Sequence, residues 1–189
     1  MSVEPWITLQ SDLVFDHKWY KVRRDTVRLP DGAILDDYFV SVRPEIVIVF
    51  AVTVGGEVPF VRQYRQGVRE MTLELPGGTF DTETGDTEAG EAAAARELLE
   101  ETGYRCGGME LLSTVFADAS KNSNQIHTYL GSGAELVAEQ RLDETESASG
   151  GVDVVMVPLG ELRARIRSGE IKNESTVLAI YRALERLGL

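Results

Sequence analysis

The chain is acidic and of moderate size: 189 residues, 43% of them apolar, carry a formal net charge of −12. That length and apolar share suit one domain with a sizeable core, with room for a small appendage. The negative field repels nucleic-acid backbones and anionic membranes and so excludes those partners, whereas a small phosphorylated substrate remains possible beside a bound divalent cation.

The N-terminal part of the chain predicts a small antiparallel sheet. Apolar and β-branched residues favour strands at residues 13–15, 19–29 and 34–42. The sequence Pro-Asp-Gly at residues 30–32 is typical of a hairpin turn between the last two strands. We therefore expect three short strands before residue 44.

The next segment predicts a β-hairpin and a turn. Residues 46–54 and 58–64 are β-branched runs joined by two glycines, and residues 72–75 form a further short strand. The sequence Pro-Gly-Gly at residues 76–78 favours a turn. A polar loop, residues 81–87, then leads to a helix.

That helix is predicted to run for about four turns. Asp86 or Thr87 suits its N-terminal cap, the alanines at residues 92–95 have high helix propensity, and Gly103 ends it. A polar loop is expected at residues 139–151. The later periodic patterns predict strands at residues 111–116, 126–131 and 152–157, and helices at residues 159–168 and 175–187.

The cellular setting follows from two features of the sequence. Cys106 is the only cysteine, so no internal disulfide can form and a reducing, cytoplasmic compartment is expected. Residues 1–5 lack the basic flank and apolar stretch of a signal peptide, and the longest apolar run, residues 46–54, is too short to span a bilayer.

The last two turns of the helix that ends at Gly103 are unusually acidic. Glu97, Glu100 and Glu101 fall at i, i+3 and i+4, so their carboxylates share one face and repel one another. The helix dipole also disfavours anions at this end. A hard divalent cation such as Mg²⁺ resolves the conflict by binding carboxylate oxygens, and Arg96 is placed to hold Glu100. The alternative is a solvated acidic face.

The flanking residues resemble the Nudix box, in which a glycine loop leads into a helix ending R-E-U-x-E-E-x-G-U. Gly78 and Glu88 are followed by residues 96–104, which read Arg-Glu-Leu-Leu-Glu-Glu-Thr-Gly-Tyr. The spacing departs from the family pattern at one place, because nine residues instead of five separate Gly78 from Glu88. The longer loop is expected to alter the rim of the pocket and to leave the helix intact.

The resemblance covers most of the chain and is closest to the ADP-ribose pyrophosphatase and nucleotide-sugar pyrophosphatase group. It implies an α/β/α sandwich around a mixed sheet, preceded by the small antiparallel sheet. It also implies two regions: residues 1–44, which dimerise, and residues 45–189, the hydrolase domain. Members of the group are usually homodimers. The segments that carry this likeness are residues 25–32, 62–65, 74–78 and 168–171.

The resemblance also implies a metal site. Glu97 and Glu101 would be the main ligands, Glu100 a further ligand or a water-mediated contact, and the Gly77 carbonyl a backbone ligand. The expected ion is Mg²⁺, with Mn²⁺ as a possible substitute. The cation would neutralise charge on the diphosphate and activate an attacking water.

Other acidic residues are given supporting and catalytic roles. By the resemblance Glu88 supports Arg96, and the general base is a glutamate on a late loop. Glu144 and Glu146 are both candidates for that base, and the sequence does not choose between them. A flexible acidic loop without catalytic duty is the alternative for each.

Five residues are candidates for substrate binding. Trp19 is placed to stack on a base, and Arg43 and Arg65 resemble positions that contact substrate. Thr79, which follows the glycines, is a further candidate, and Glu74 suits either substrate or metal binding. Four of the five have an ordinary structural alternative: a dimer-core aromatic for Trp19, surface ion pairs for the arginines, and an ion pair for Glu74.

The substrate expected from these residues is a small nucleoside diphosphate derivative. Residues 116–123 contain neither proline nor glycine, unlike the matching segment of many ADP-ribose enzymes, so GDP-mannose or another nucleotide sugar fits the same catalytic residues. The rival function is a Nudix-like module that binds a nucleotide without hydrolysing it. The intact carboxylates at Glu97, Glu100 and Glu101 favour the enzyme.

Overall fold

The structure is a computed structural model that describes residues 3–80, 90–142, 144–148 and 150–189, without the side chains of residues 145 and 146. The chain divides into two compact units. The N-terminal unit consists of Met1–Pro44 and Phe116–Gln125, and the main unit consists of Glu45–Val115 and Ile126–Leu189.

The N-terminal unit contains the predicted antiparallel sheet. Its strands lie in the order β1 (Ile7–His17), β2 (Tyr20–Arg28) and β3 (Ile34–Val42). Strand β1 extends well beyond the predicted residues 13–15, because its backbone pairs with the whole of β2, from Ile7 opposite Arg28 to His17 opposite Tyr20. Local side-chain pattern underestimated this strand, since pairing with a neighbour also orders its polar residues.

A segment from much later in the chain completes this unit. The backbone N–H of Ser41 donates to the Lys121 carbonyl at 2.7 Å, and the N–H of Ser123 donates to the Ser41 carbonyl at 3.0 Å. The Tyr38 hydroxyl donates to the Ser120 carbonyl at 2.6 Å. These hydrogen bonds hold residues 116–125 against the edge of β3.

The main unit contains two sheets. Its strands are β4 (Ile46–Thr53), β5 (Glu57–Arg65), β6 (Glu70–Glu74), β7 (Gly77–Thr79), β8 (Tyr104–Arg105), β9 (Met109–Phe116), β10 (Gln125–Leu136) and β11 (Asp153–Pro158). One sheet has the order β7-β4-β10-β8, with β9 also paired to β10, and the other has the order β11-β5-β6. The first sheet is mixed, because β4 is parallel to β10 and antiparallel to β7.

Two of the helices of this unit cover opposite faces of β4. The helices are α1 (Gly90–Thr102), α2 (Glu144–Ala148), α3 (Leu162–Arg167), which follows a 3-10 turn at Leu159–Glu161, and α4 (Glu174–Leu187). Alternate residues of β4 point to opposite faces. Phe50 packs with Ile180 of α4, whereas Val49 packs with Leu98 of α1. The predicted α/β/α arrangement is confirmed.

Three local expectations differ from the structure. Residues 77–79 form strand β7, not the second half of a turn, because they pair with β4 from Ile46 opposite Thr79 to Ile48 opposite Gly77. The short strand β8 was not expected, and the predicted loop at residues 139–151 contains helix α2. In the portion of the chain that the structure covers, no helix is long and apolar enough to cross a membrane.

Candidate active site

Helix α1 carries the three glutamates on its last two turns. Its apolar side, including Ala93, Ala94 and Leu98, is fully buried against the mixed sheet. Gly103 ends the helix as predicted, with φ at +74° and its N–H donating to the Leu99 carbonyl at 2.8 Å. Packing of the apolar side therefore fixes the direction in which the acidic side faces.

Glu101 is the most buried of the three glutamates, with 4% of its surface exposed. Its Oε2 accepts a hydrogen bond from the backbone N–H of Gly77 at 2.8 Å. A buried carboxylate is costly without such a partner or a cation. This bond joins the end of α1 directly to strand β7.

Arg96 organises the other two carboxylates. Its Nη1 donates to Glu97 Oε1 at 2.8 Å and to Glu100 Oε2 at 3.0 Å. Its Nη2 donates to the carbonyl of Thr79 at 3.0 Å. The guanidinium thus offsets the repulsion between two acidic side chains and ties both of them to the end of β7.

The two glycines of β7 allow this close approach. A Cβ on Gly77 would lie 2.3 Å from the carbonyl oxygen of Val47, in the neighbouring strand β4. A Cβ on Gly78 would lie 2.3 Å from Glu97 Oε1 and 2.6 Å from Glu97 Oε2. All three distances are far below van der Waals contact, so a side chain at Gly77 would displace the strand and a side chain at Gly78 would displace the carboxylate.

These residues fit a hard divalent cation by the chemistry of their donors. Carboxylate oxygens gathered on one helix face, beside a strand without side chains, suit Mg²⁺. Within the described part of the chain, no three side chains of His, Cys, Asp or Glu already converge as a metal site. Arg96 holds Glu97 and Glu100, and Gly77 holds Glu101, so binding of a cation requires these side chains to reorient.

Arg65 and Glu74 form a second charged cluster in the main unit. Arg65 donates to Glu74 through Nε at 3.2 Å and through Nη2 at 2.8 Å, in a bidentate pair. Burial alone raises the pKa of the Glu74 carboxyl, but the hydrogen bond and charge of Arg65, with hydrogen bonds from Thr72 and Asn173, outweigh it and leave the pKa below its ordinary value. The ion pair expected as the structural alternative is present, and Glu74 stays charged at neutral pH.

Replacing Glu74 by glutamine is expected to lower the free energy of unfolding by about 1 kcal/mol at neutral pH, a figure reduced because Arg65 is half exposed. The pKa of Glu74 is lower in the folded protein than its ordinary value of 4.5. The stabilisation is therefore complete above that value and is lost as the pH falls below it.

Urea unfolding of both proteins between neutral and acidic pH tests this expectation. The difference in free energy between wild type and Glu74→Gln should stay constant at neutral pH and shrink towards zero in acid. A difference that grows on acidification would contradict the proposed role of the Arg65–Glu74 pair.

The remaining candidates are spread over the chain. Trp19 and Arg43 belong to the N-terminal unit: Trp19 is 68% exposed, with the Lys18 ammonium 4.8 Å from its ring, and the Arg43 guanidinium lies 5.9 Å from the Tyr20 ring. Glu144 is exposed at the start of α2. Glu88 and the side chain of Glu146 lie outside the described residues.

Sequence reasoning missed one residue that contacts the end of the carboxylate helix. The side-chain amide of Gln140 donates to the carbonyl of Glu101 at 2.5 Å. A single glutamine in a polar loop carries no local signal of such a role, because the contact spans 39 residues of sequence.

Comparison with known proteins identifies the family of this chain. Residues 6–41 match the model of the nucleoside diphosphate sugar hydrolase N-terminal domain, and residues 42–176 match that of the NUDIX domain. A methanol dehydrogenase activator of Bacillus methanolicus is 30% identical over 92% of this chain and 89% of that protein. An ADP-ribose pyrophosphatase of Bacillus subtilis is 29% identical over the same shares.

A solved structure supports the fold independently. The crystal structure of an ADP compounds hydrolase matches with a TM-score of 0.85 and 20% sequence identity, covering 100% of this chain and 97% of the other. The NUDIX match includes the whole of α1 and both glycines of β7. The chain therefore belongs to the Nudix hydrolase family and is a Nudix pyrophosphatase that is similar in sequence to ADP-ribose pyrophosphatases.

Proposed function

We propose that the protein is a Mg²⁺-dependent hydrolase that cleaves the diphosphate linkage of a nucleoside diphosphate sugar similar to ADP-ribose. The observation that carries this proposal is the cluster of Glu97, Glu100 and Glu101 on α1, tied by Arg96 and Gly77 to a strand without side chains. The name of the Bacillus subtilis relative supports ADP-ribose as the first substrate to test.

The proposed reaction divides the work between a cation and the protein. Glu97, Glu100, Glu101 and the Gly77 carbonyl would hold Mg²⁺, which Mn²⁺ can replace. When bound, the cation supplies positive charge to the diphosphate and makes an attacking water more acidic. Arg96 donates hydrogen bonds to Glu97 and Glu100 and so offsets part of the repulsion between these two carboxylates.

The proposal also assigns a general base and residues that bind the substrate. Glu144 or Glu146 accepts the proton of the attacking water, while Glu88 supports Arg96. By the family resemblance, Trp19 is proposed to stack on a nucleobase, Arg43 and Arg65 to contact substrate, Thr79 to bind substrate, and Glu74 to bind either substrate or metal. A cytoplasmic location and the lack of a nucleic-acid partner remain predictions from composition.

A substrate panel tests the proposal directly. Purified protein is incubated with ADP-ribose, GDP-mannose, other nucleotide sugars, dinucleotides and nucleoside triphosphates, each with Mg²⁺ and with excess chelator. Hydrolysis of a nucleotide sugar into two monophosphates, abolished by chelator and restored by Mg²⁺, is the expected result. Tight binding without turnover throughout the panel would contradict the proposal and favour a sensing module.

Residues 1–44 are proposed to form a homodimer interface. Strand β1 exposes a row of large apolar side chains, each between 46% and 53% exposed: Ile7, Leu9, Leu13, Val14 and Phe15. Large apolar side chains exposed along one strand favour association with another protein surface.

Replacing Leu13 and Phe15 together by aspartate is expected to convert the dimer to a monomer, because two charges would be buried at the interface without partners. Light scattering at micromolar concentration measures the mass. Val54→Asp is the matched control, since Val54 is an exposed apolar residue of the main unit. A wild-type protein that is monomeric and fully active would refute the proposed interface.

A further inference from the structure

Two of the last carbonyls of α1, those of Glu100 and Glu101, accept hydrogen bonds from one short segment, residues 137–141. The last carbonyls of a helix have no partner within the helix. Here the N–H of Arg141 donates to the Glu100 carbonyl at 2.8 Å, and Gln140 Nε2 donates to the Glu101 carbonyl at 2.5 Å. The segment also passes Gly103, whose carbonyl accepts from the N–H of Val137 at 3.0 Å and of Ala138 at 3.2 Å.

All of these donors are neutral amides. Helices commonly place Lys, Arg or His near this end, where positive charge suits the dipole. Within α1, which the structure describes in full, the last turn contains no basic residue. An amide at this position satisfies the carbonyls without forming an ion pair with the carboxylates of Glu100 and Glu101.

Gln140 also forms a hydrogen bond to the residue before strand β11 and so links that strand to α1. The same Nε2 donates to the carbonyl of Val152 at 2.9 Å, directly before strand β11. Both hydrogens of one amide are thus used, one on the last turn of the helix and one on the residue before β11. Residues 141–151, which include the two candidate bases, lie between Gln140 and Val152 in the chain. Gln140 therefore forms a hydrogen bond between the two ends of the segment on which the general base is expected.

We propose that Gln140 is a positioning residue for the hydrolytic reaction, coupling the carboxylate helix to the base-bearing loop through the Glu101 and Val152 carbonyls. This inference rests on the proposed function. Gln140 does not contact the reacting atoms in this assignment. It acts through Glu101, whose backbone it fixes while Gly77 fixes the carboxylate of the same residue, and through the anchored end of the loop.

Gln140→Met is the most informative variant, because methionine has a similar length and shape and donates neither hydrogen bond. We expect kcat to fall by roughly 10- to 100-fold, the usual effect of removing a residue that orients a metal ligand, with little change in KM. The metal concentration needed for half-maximal activity should rise. Gln140→Asn, whose shorter amide reaches only one carbonyl, should give a smaller loss and provides a milder variant if methionine hinders folding.

A measurement without turnover separates positioning from simple support of the fold. Binding of Mn²⁺ to each protein is followed by the loss of the electron paramagnetic resonance signal of the free ion, below the onset of thermal unfolding. Gln140→Met should bind Mn²⁺ more weakly than wild type. Ile180→Val is the control: it removes one buried methylene from the opposite face of β4, lowers stability and leaves the end of α1 untouched.

The results distinguish failure of this inference from failure of the proposed function. If wild-type protein hydrolyses a nucleotide sugar with Mg²⁺, and Gln140→Met matches Ile180→Val in kcat and in Mn²⁺ binding, the positioning role is overturned. If wild-type protein neither binds Mn²⁺ nor hydrolyses any member of the panel, the proposed function itself has failed.

Discussion

Replacing Glu101 by glutamine is expected to lower kcat by about 10³-fold, as removal of one preorganised electrostatic contact does. The side chain is almost fully buried, and its Oε2 accepts the Gly77 N–H at 2.8 Å. Glutamine has nearly the same volume, and its carbonyl oxygen can still accept this hydrogen bond. The variant therefore loses the negative charge and keeps the packing.

The test measures kcat with saturating Mg²⁺ and unfolding by circular dichroism. Thermal unfolding should change little, so that the loss of turnover cannot be assigned to loss of structure. Glu161→Gln is the matched control, because Glu161 is an exposed carboxylate that pairs with Arg165 at 2.8 Å, a surface contact of small energetic weight. Unchanged magnesium-dependent turnover in Glu101→Gln would rule out the proposed metal site.

Replacing Gly77 by alanine is expected to have the second large effect, a loss of stability of the fold. The added Cβ would lie 2.3 Å from the Val47 carbonyl oxygen and 3.1 Å from the Ile48 Cα. Both are backbone atoms of β4, whose two faces are packed under α1 and α4, so the strand cannot easily withdraw. Overpacking of this kind costs about 1–3 kcal/mol, and separation of β7 from β4 would add to that.

Alanine at the adjacent Gly78 should affect activity instead. Its Cβ would meet the carboxylate of Glu97, the far end of a flexible side chain, which can move aside. Movement breaks the contact of Glu97 with Arg96 and displaces a proposed metal ligand. We expect a loss of kcat of at least about tenfold, as for other perturbations that disorient metal ligands, with a small change in stability.

Urea unfolding and kcat are measured on both variants. Gly77→Ala should lose mainly stability, and Gly78→Ala should lose mainly kcat. Gly107→Ala is the control, since no heavy atom of the described residues lies within 4 Å of the added Cβ and its φ is not positive. Equal losses of stability in the variants at Gly77 and Gly78 would show that Glu97 cannot yield, and would contradict the different roles assigned to the two glycines.

The sequence by itself determined the parts of the protein that depend on local periodicity. Spacing of three and four residues placed Glu97, Glu100 and Glu101 on one side of a helix, and Gly103 marked its end, because helical geometry relates only near neighbours. The β-branched run at residues 46–54 likewise indicated a strand, which the structure contains as β4 (Ile46–Thr53). The resemblance to the Nudix box indicated the family, and the family in turn indicated the fold.

Tertiary structure alone decided features that depend on partners distant in the chain. Gly77 and Gly78 form a strand because β4 supplies hydrogen bonds, although the local Pro-Gly-Gly sequence favours a turn. Residues 116–125 join the N-terminal unit through the backbone of Ser41, which no side-chain pattern encodes. Gln140 caps α1 from 39 residues away. In each case a backbone group that must be satisfied on burial selects its partner by proximity in the folded chain, so the residues involved carry no local signal of the contact.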